Sequence, residues 1–188
     1  IPTYNGALYL AQTLDSLLQD GAQGIECIVI DDGSTDATIE IIKRYEGRLH
    51  LRLLQTSHSG NWAENTNLAL MQAVAEHACF LHQDDYWLPG RASAVRDMIS
   101  EIPACMIYLN ASLFVDERGR RLGQWSCPLP SRPQEIDSRL LLQRLLIQNF
   151  IAICAPVFKR KHAITAASLD KALWYTADWD FWLKLAAT

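Results

Sequence analysis

Several things are missing from these 188 residues, and each absence removes a class of function. No C-x-x-C pair occurs, the cysteine count of five is odd, and Cys27, Cys79 and Cys154 lie inside apolar runs. Buried reduced thiols of a cytosolic protein fit this better than a disulfide framework or a zinc site. No apolar run reaches the roughly 18–20 residues that span a bilayer, and no signal peptide opens the chain. A basic excess is lacking too: net charge is −4, and Lys and Arg are scattered except for Lys159-Arg160-Lys161, which reads as a solvated turn. No face therefore suits duplex nucleic acid. G-x-G-x-x-G is absent, against a redox Rossmann enzyme. Asn5-Gly6-Ala7 is followed by none of the Lys or Arg of a basic phosphate loop, against a nucleotidyltransferase. Ile1-Pro2-Thr3 reads as the tail of a strand and Leu185–Thr188 stops inside a helical pattern, so the chain is read as a fragment, with peripheral membrane association left open.

What is present is the composition of one soluble globular domain, 49% hydrophobic and 20% charged. Ala7, Leu10, Ala11, Leu14, Leu17 and Leu18 recur at spacings of three and four, which predicts an amphipathic helix. Ile25–Ile30 is a short continuous apolar run, as expected of a buried parallel strand. Asp31–Asp36 is a turn that can cap a helix over Thr38–Tyr45. Leu49–Leu54 predicts a strand, Ala63–Glu76 a helix and Ala78–Leu81 another buried strand. Alternating strands and helices imply βαβ units and a parallel sheet with helices on both faces. Further on, Arg91–Ser100 reads as helix, Met106–Leu109 as strand and Phe114–Gln124 as a hairpin turning at Asp116-Glu117-Arg118-Gly119. Cys127–Pro133 reads as a loop, Leu140–Leu146 as helix, Ile151–Phe158 as extended and Asp178–Ala187 as a final helix.

Three acidic constellations stand out. Asp31-Asp32 follows one strand and His82-Gln83-Asp84-Asp85 follows another, so both open onto the sheet edge where α/β folds bind ligands. Ser34 and Asp36 can be simple helix caps, but two consecutive acids exceed what capping needs. A carboxylate there can accept hydrogen bonds from a ribose hydroxyl or a base N–H. Asp84 and Asp85 suit a phosphate-borne Mg²⁺ or Mn²⁺, which takes only one or two protein carboxylates. In Asp178-Trp179-Asp180, Asp180 can pair with Lys184 on the helix surface. Asp178 heads an apolar face, where it either caps the helix or serves a cleft. Among the tryptophans Trp87, Trp174, Trp179 and Trp182, Trp87, in the loop after Asp84-Asp85, is the candidate for lining a ligand pocket and Trp182 belongs in the core.

Together these segments resemble a family 2 glycosyltransferase of the GT-A class, bacterial in type. The resemblance is carried by Ile1–Gly6 with Tyr9-Leu10, Cys27–Asp36, Gly60–Asn65, Gln83-Asp84-Asp85 and Ala177–Leu185. It implies a GT-A α/β fold with a mixed, mainly parallel central sheet and helices on both faces, in a single domain. Residues 1–103 would form the nucleotide-binding half and 104–188 the acceptor-side half.

It also implies roles. Pro2, Thr3 and Tyr4 would lie along the nucleobase, Asp32 would accept from the base N–H, Asp31 would support the loop, and Asn65 would face the nucleotide. Asp84 would ligate the metal on the diphosphate with help from Asp85, and Asp178 would be the general base. The expected reaction moves a sugar from a UDP- or dTDP-sugar to a saccharide or lipid-linked acceptor, with inversion, in cell-surface polysaccharide assembly. The setting would be the cytoplasm or the inner face of the membrane. Three departures from the family pattern bear on this. His82 replaces the first acid of Asp-x-Asp and could itself ligate Mn²⁺, Glu64 stands where an Arg is common, and Ala177 replaces an acid. A non-catalytic sugar-nucleotide-binding module, degenerate at these positions, is the rival reading.

Overall fold

The computed structural model describes residues 1–21, 23–125, 127–130, 132 and 134–188. Its organising strand is β2 (Glu26–Asp31), because the apolar residues there serve two faces at once. Cys27 and Val29 face Leu10, Leu14 and Leu17 of α1 (Leu10–Gln19) and Ile41 and Ile42 of α2 (Thr38–Lys43). Ile28 and Ile30 face Ala69 of α3 (Trp62–Gln72) on the opposite side. Along its edges β2 pairs in parallel with β1 (Pro2–Thr3), Pro2 opposite Ile30, and with β3 (His50–Gln55), Glu26 opposite His50. Helices thus cover both faces of a parallel sheet, as predicted.

The second half is built on an antiparallel sheet. Here β8 (Val157–Lys159) pairs with β4 (His77–Cys79) on one side and β5 (Ile107–Tyr108) on the other. This corrects the expected parallel pairing of β4, whose three residues carry no signal of direction. A hairpin of β6 (Ser112–Val115) and β7 (Arg121–Trp125) turns where expected, at Asp116–Gly119. There the Asp116 carboxylate accepts from the amides of Arg118 and Arg120. The helices α4 (Arg91–Glu101), α5 (Ser138–Leu145), α6 (Arg160–Ala166) and α7 (Ala177–Ala186) complete the fold. Beneath α7, the rings of Phe80, Phe158, Phe181 and Trp182 pack at centroid distances of 4.8–6.3 Å, within the range of favourable edge-to-face contacts. Trp182 is fully buried, as read from the sequence.

Three element assignments differ from the sequence reading. Helix α3 stops at Gln72 rather than Glu76, because the Glu26 carboxylate accepts from the amides of Val74 and Ala75 (2.6 and 2.9 Å) and draws the chain out of the helix. Residues 153–155, expected to be extended, turn instead. Their carbonyls at Cys154 and Ala155 bond the Arg91 guanidinium (3.2 and 2.8 Å), and Pro156 has no N–H to give a ladder. The Lys159-Arg160-Lys161 run is no turn: Lys159 ends β8, and Arg160 opens α6 while its Nε donates to the Ala75 carbonyl (2.8 Å). Of the predicted loop at 127–133, residues 131 and 133 lie outside the described residues.

Candidate active site

The turn after β2 is a closed hydrogen-bonded unit. Asp31, fully buried, accepts from the Thr3 hydroxyl (3.2 Å) and from the Ser34 amide (3.0 Å) and hydroxyl. Asn5, in the left-handed region at φ 46°, accepts through its side chain from the Thr35 amide at 2.8 Å, and its own amide donates to Ser34 Oγ at 2.9 Å. Asp36 accepts from the amides of Ala7 (3.1 Å) and Thr38 (3.0 Å), and those contacts outweigh its desolvation and lower its pKa. Asp31, Ser34 and Asp36 are therefore architectural in this structure.

Asp32 points elsewhere. Its side chain reaches the loop after β3, accepting from the amides of Ser59 and Gly60, each at 2.8 Å. Burial alone would raise this carboxyl, which is 3% exposed; the two amides, with the Asn65 and Ser59 side chains, reverse that and lower it. His58 Nδ1 lies 3.1 Å from both the Asp32 carbonyl and Oδ2, which favours the tautomer protonated there. Its ring stacks on Tyr4, with centroids 4.1 Å apart and planes inclined by 18°. Asn65 is buried beside Asp32 on α3. Tyr4 is tied to the loop after β4 as well. Its amide donates to Gln83 Oε1 (2.9 Å), and Gln83 Nε2 donates back to the Tyr4 carbonyl (3.1 Å).

Pro2, Thr3, Tyr4, Asp32, Asn65, His82, Asp84 and Asp178 line one open hollow of about 780 Å³. Three carboxylates some 50 and 90 residues apart, Asp32, Asp84 and Asp178, thus converge. Asp84 is exposed at the rim. His82 lines the hollow beside it with its ring edge-on to Trp62 (5.3 Å), and burial pushes its pKa down. Its Nε2 is buried without a partner. A neutral imidazole with an orphaned nitrogen beside one free carboxylate fits a cation carried in on phosphates. No three His, Cys, Asp or Glu side chains gather into a ready-made cage among the described residues.

Asp85 and Trp87 lie outside this hollow. Both line a neighbouring one of about 240 Å³, between α4 and the β6–β7 hairpin, which meets the first at Asp84. Asp85 is raised by desolvation first and then by Asp84, and bonds the Cys154 thiol. Trp87, 8% exposed, packs with Leu14 and Leu17 under the Arg91 guanidinium, 5.0 Å from its ring.

Asp178 stands in the first turn of α7, where the helix dipole favours an anion. Desolvation nevertheless raises its pKa, and Asn149 Nδ2, donating to Oδ2 at 2.9 Å, opposes that rise only in part. Asp180 pairs with Lys184 one turn on, as read from the sequence. Ala177 is fully buried in the core, so an acid at that position would have to be desolvated. Glu64, in place of an Arg, draws Lys171 to 3.3 Å.

No expectation from the sequence covered His58, Ser59-Gly60 or Asn149. The first three residues had a usable signal, since a polar loop follows β3 at the ligand-binding edge. Asn149 had none, lying 29 residues from its partner.

Over 89 residues the chain is 37% identical to the poly(ribitol-phosphate) beta-N-acetylglucosaminyltransferase TarS of Staphylococcus aureus, covering 46% of this chain and 16% of that one. Over 144 residues it is 38% identical to an uncharacterized glycosyltransferase of Haemophilus influenzae, covering 76% of this chain and 55% of the relative. The crystal structure of S. aureus TarS 1–349 in complex with UDP-GlcNAc superposes with a TM-score of 0.72 at 22% identity, over 98% of this chain and 51% of that one. The last match establishes a GT-A-type α/β fold. The chain spans about half or less of these relatives' lengths. Residues 1–163 match the model of glycosyl transferase family 2, and the chain belongs to that family.

Proposed function

We propose that this chain transfers a sugar, with inversion, from a nucleoside-diphosphate donor, a UDP- or dTDP-sugar, to a hydroxyl of a saccharide or lipid-linked acceptor during assembly of a cell-surface polymer. The observation that carries the reading is the convergence of Asp32, Asp84 and Asp178 on one hollow. A structural neighbour in complex with UDP-GlcNAc supports the donor class, and a relative named for transfer to poly(ribitol-phosphate) supports a polymer-assembly setting. Five free cysteines support a cytoplasmic setting, at the inner face of the membrane where the acceptor is lipid-linked.

The nucleobase lies against Tyr4, Pro2 and Thr3, and Asp32, through the loop it holds, sets the edge of that site. Asp84, with the His82 imidazole beside it, would hold a Mn²⁺ or Mg²⁺ ion whose charge offsets that of the departing diphosphate. Asp178 accepts the proton of the acceptor hydroxyl as that oxygen attacks the anomeric carbon and the bond to the β-phosphate oxygen breaks. A carboxylate raised by burial is the better base near neutral pH, and Asn149 keeps Oδ2 oriented for the task. In the test, Asp178→Asn binds UDP within about twofold of wild type while transfer falls by about 10²–10⁴. Full transfer by the purified variant would refute the base assignment. Failure of wild type to bind any nucleoside diphosphate would refute the reading as a whole.

A further inference from the structure

Residues 169–176 run along the outer side of α3 and are pinned to it at four points. Asn67 exchanges hydrogen bonds with both Leu169 backbone groups (2.8 and 3.0 Å), Asn61 Nδ2 donates to the Lys171 carbonyl (3.0 Å), and Trp62 Nε1 donates to the Trp174 carbonyl (3.0 Å). A backbone held this firmly leaves little freedom to tuck its side chains away. Yet two large aromatics in succession, Trp174 and Tyr175, remain 67% and 87% exposed. Both line the hollow that contains Asp178, which stands in the first turn of the next helix three residues after Tyr175. Large exposed aromatics on a rigid support mark a contact surface, because each combines apolar area with a polar tip and loses little entropy on binding.

Resting on the reading of this chain as a glycosyltransferase, we propose that Trp174 and Tyr175 form the platform on which a ring-form saccharide acceptor lies while its hydroxyl meets Asp178. A pyranose presents an apolar C–H face and a polar rim. The hollow offers the matching pair: aromatic surface from residues 174 and 175, and hydrogen-bonding groups from Asp178 and Gln83. A lipid chain would need an uncharged apolar channel, whereas this hollow holds the carboxylates of Asp32, Asp84 and Asp178 beside the two aromatics. An open polyol has no flat face to stack.

The experiment uses methyl β-D-glucopyranoside, methyl N-acetyl-β-D-glucosaminide, ribitol and anionic phosphatidylglycerol vesicles as probes. Binding to the UDP-loaded chain is followed by saturation-transfer NMR for the small molecules and by co-sedimentation for vesicles. The pyranosides should bind, and Trp174→Ala or Tyr175→Ala should weaken them about fivefold or more, the range for losing an anchoring aromatic. Trp174→Phe should recover part of the loss, while calorimetric UDP affinity stays within twofold in every variant. Equal pyranoside binding by both alanine variants, no pyranoside binding by wild type, or a response to ribitol or vesicles alone would each overturn the platform. None of those results touches UDP binding, on which the functional reading stands.

Discussion

Removing the Asp32 carboxylate should loosen the loop after β3 before it does anything else. In Asp32→Ala the amides of Ser59 and Gly60 lose a charged acceptor at 2.8 Å each. Hydrogen bonds to charged groups contribute about 1.5–3 kcal/mol each, and these donors sit on an exposed loop where water can replace the lost partner, so the low end applies. Relief of the buried carboxylate's desolvation offsets part of this, leaving a net loss of about 2–3 kcal/mol. For a chain of 188 residues that corresponds to a fall in Tm of about 4–12 °C. Asp32→Asn keeps one acceptor and should lose about half as much. The pH dependence has a definite sign. The folded-state pKa of Asp32 is lowered, so its contribution is present above the ordinary carboxylate pKa of about 3.9 and disappears as pH falls through the lower folded value. Thermal melts of wild type and both variants from pH 7 down to pH 2.5, with amide exchange read at residues 59 and 60, provide the assay. A Tm for Asp32→Ala within a degree of wild type at pH 7, or a gap that persists undiminished in acid, would refute the reasoning.

Other outcomes follow from neighbouring contacts. Asp178→Asn should raise Tm at neutral pH, because a carboxyl whose folded pKa is raised favours the fold below the ordinary carboxylate range and opposes it as pH rises through the folded value; melts in acid should show the gain vanish. Asn149→Ala removes the donor on Oδ2, so the acidic limb of the transfer-rate profile should move to higher pH, and an unmoved limb would show that Asn149 does not act on the base. A Cβ at Gly6 would collide with Gln83 Oε1, which the Tyr4 backbone holds in place; Gly6→Ala should therefore cost about 1–3 kcal/mol alone and much less in a Gln83→Ala background, as a double-mutant cycle of chemical melts would record. Asp84→Asn should abolish any gain in UDP affinity on adding Mn²⁺ while metal-free affinity changes little, and calorimetry with and without the ion decides it.

Much of the first half was legible because local signals and the final environment agree there. Val29 and Ile30 face opposite layers, so an unbroken apolar run was the right signature for β2, and the acids that follow it had to emerge at the sheet edge. Errors arose where distant residues compete with local preference. Glu26 ends α3 from 48 residues away, and Arg91 claims carbonyls in 151–156 that would otherwise sit in a strand. Trp87 shows the same limit, since nothing in its neighbours announces that Arg91 and α1 will enclose it. For Asp32 the position was readable, but its employment by Ser59 and Gly60 was not, because those bonds exist only once β2 and β3 are paired.

The ring cluster under α7 ties together two parts of the site that the chain keeps far apart. Phe80 lies two residues before His82, Phe181 lies three residues after Asp178, and the two rings touch with centroids 5.4 Å apart. The proposed displacement needs its entering oxygen and its leaving phosphate in line, and a misplacement of about 1 Å is costly. In this molecule both flanks are bolted to one incompressible block, so a disturbance that shifts one flank carries the other along with it.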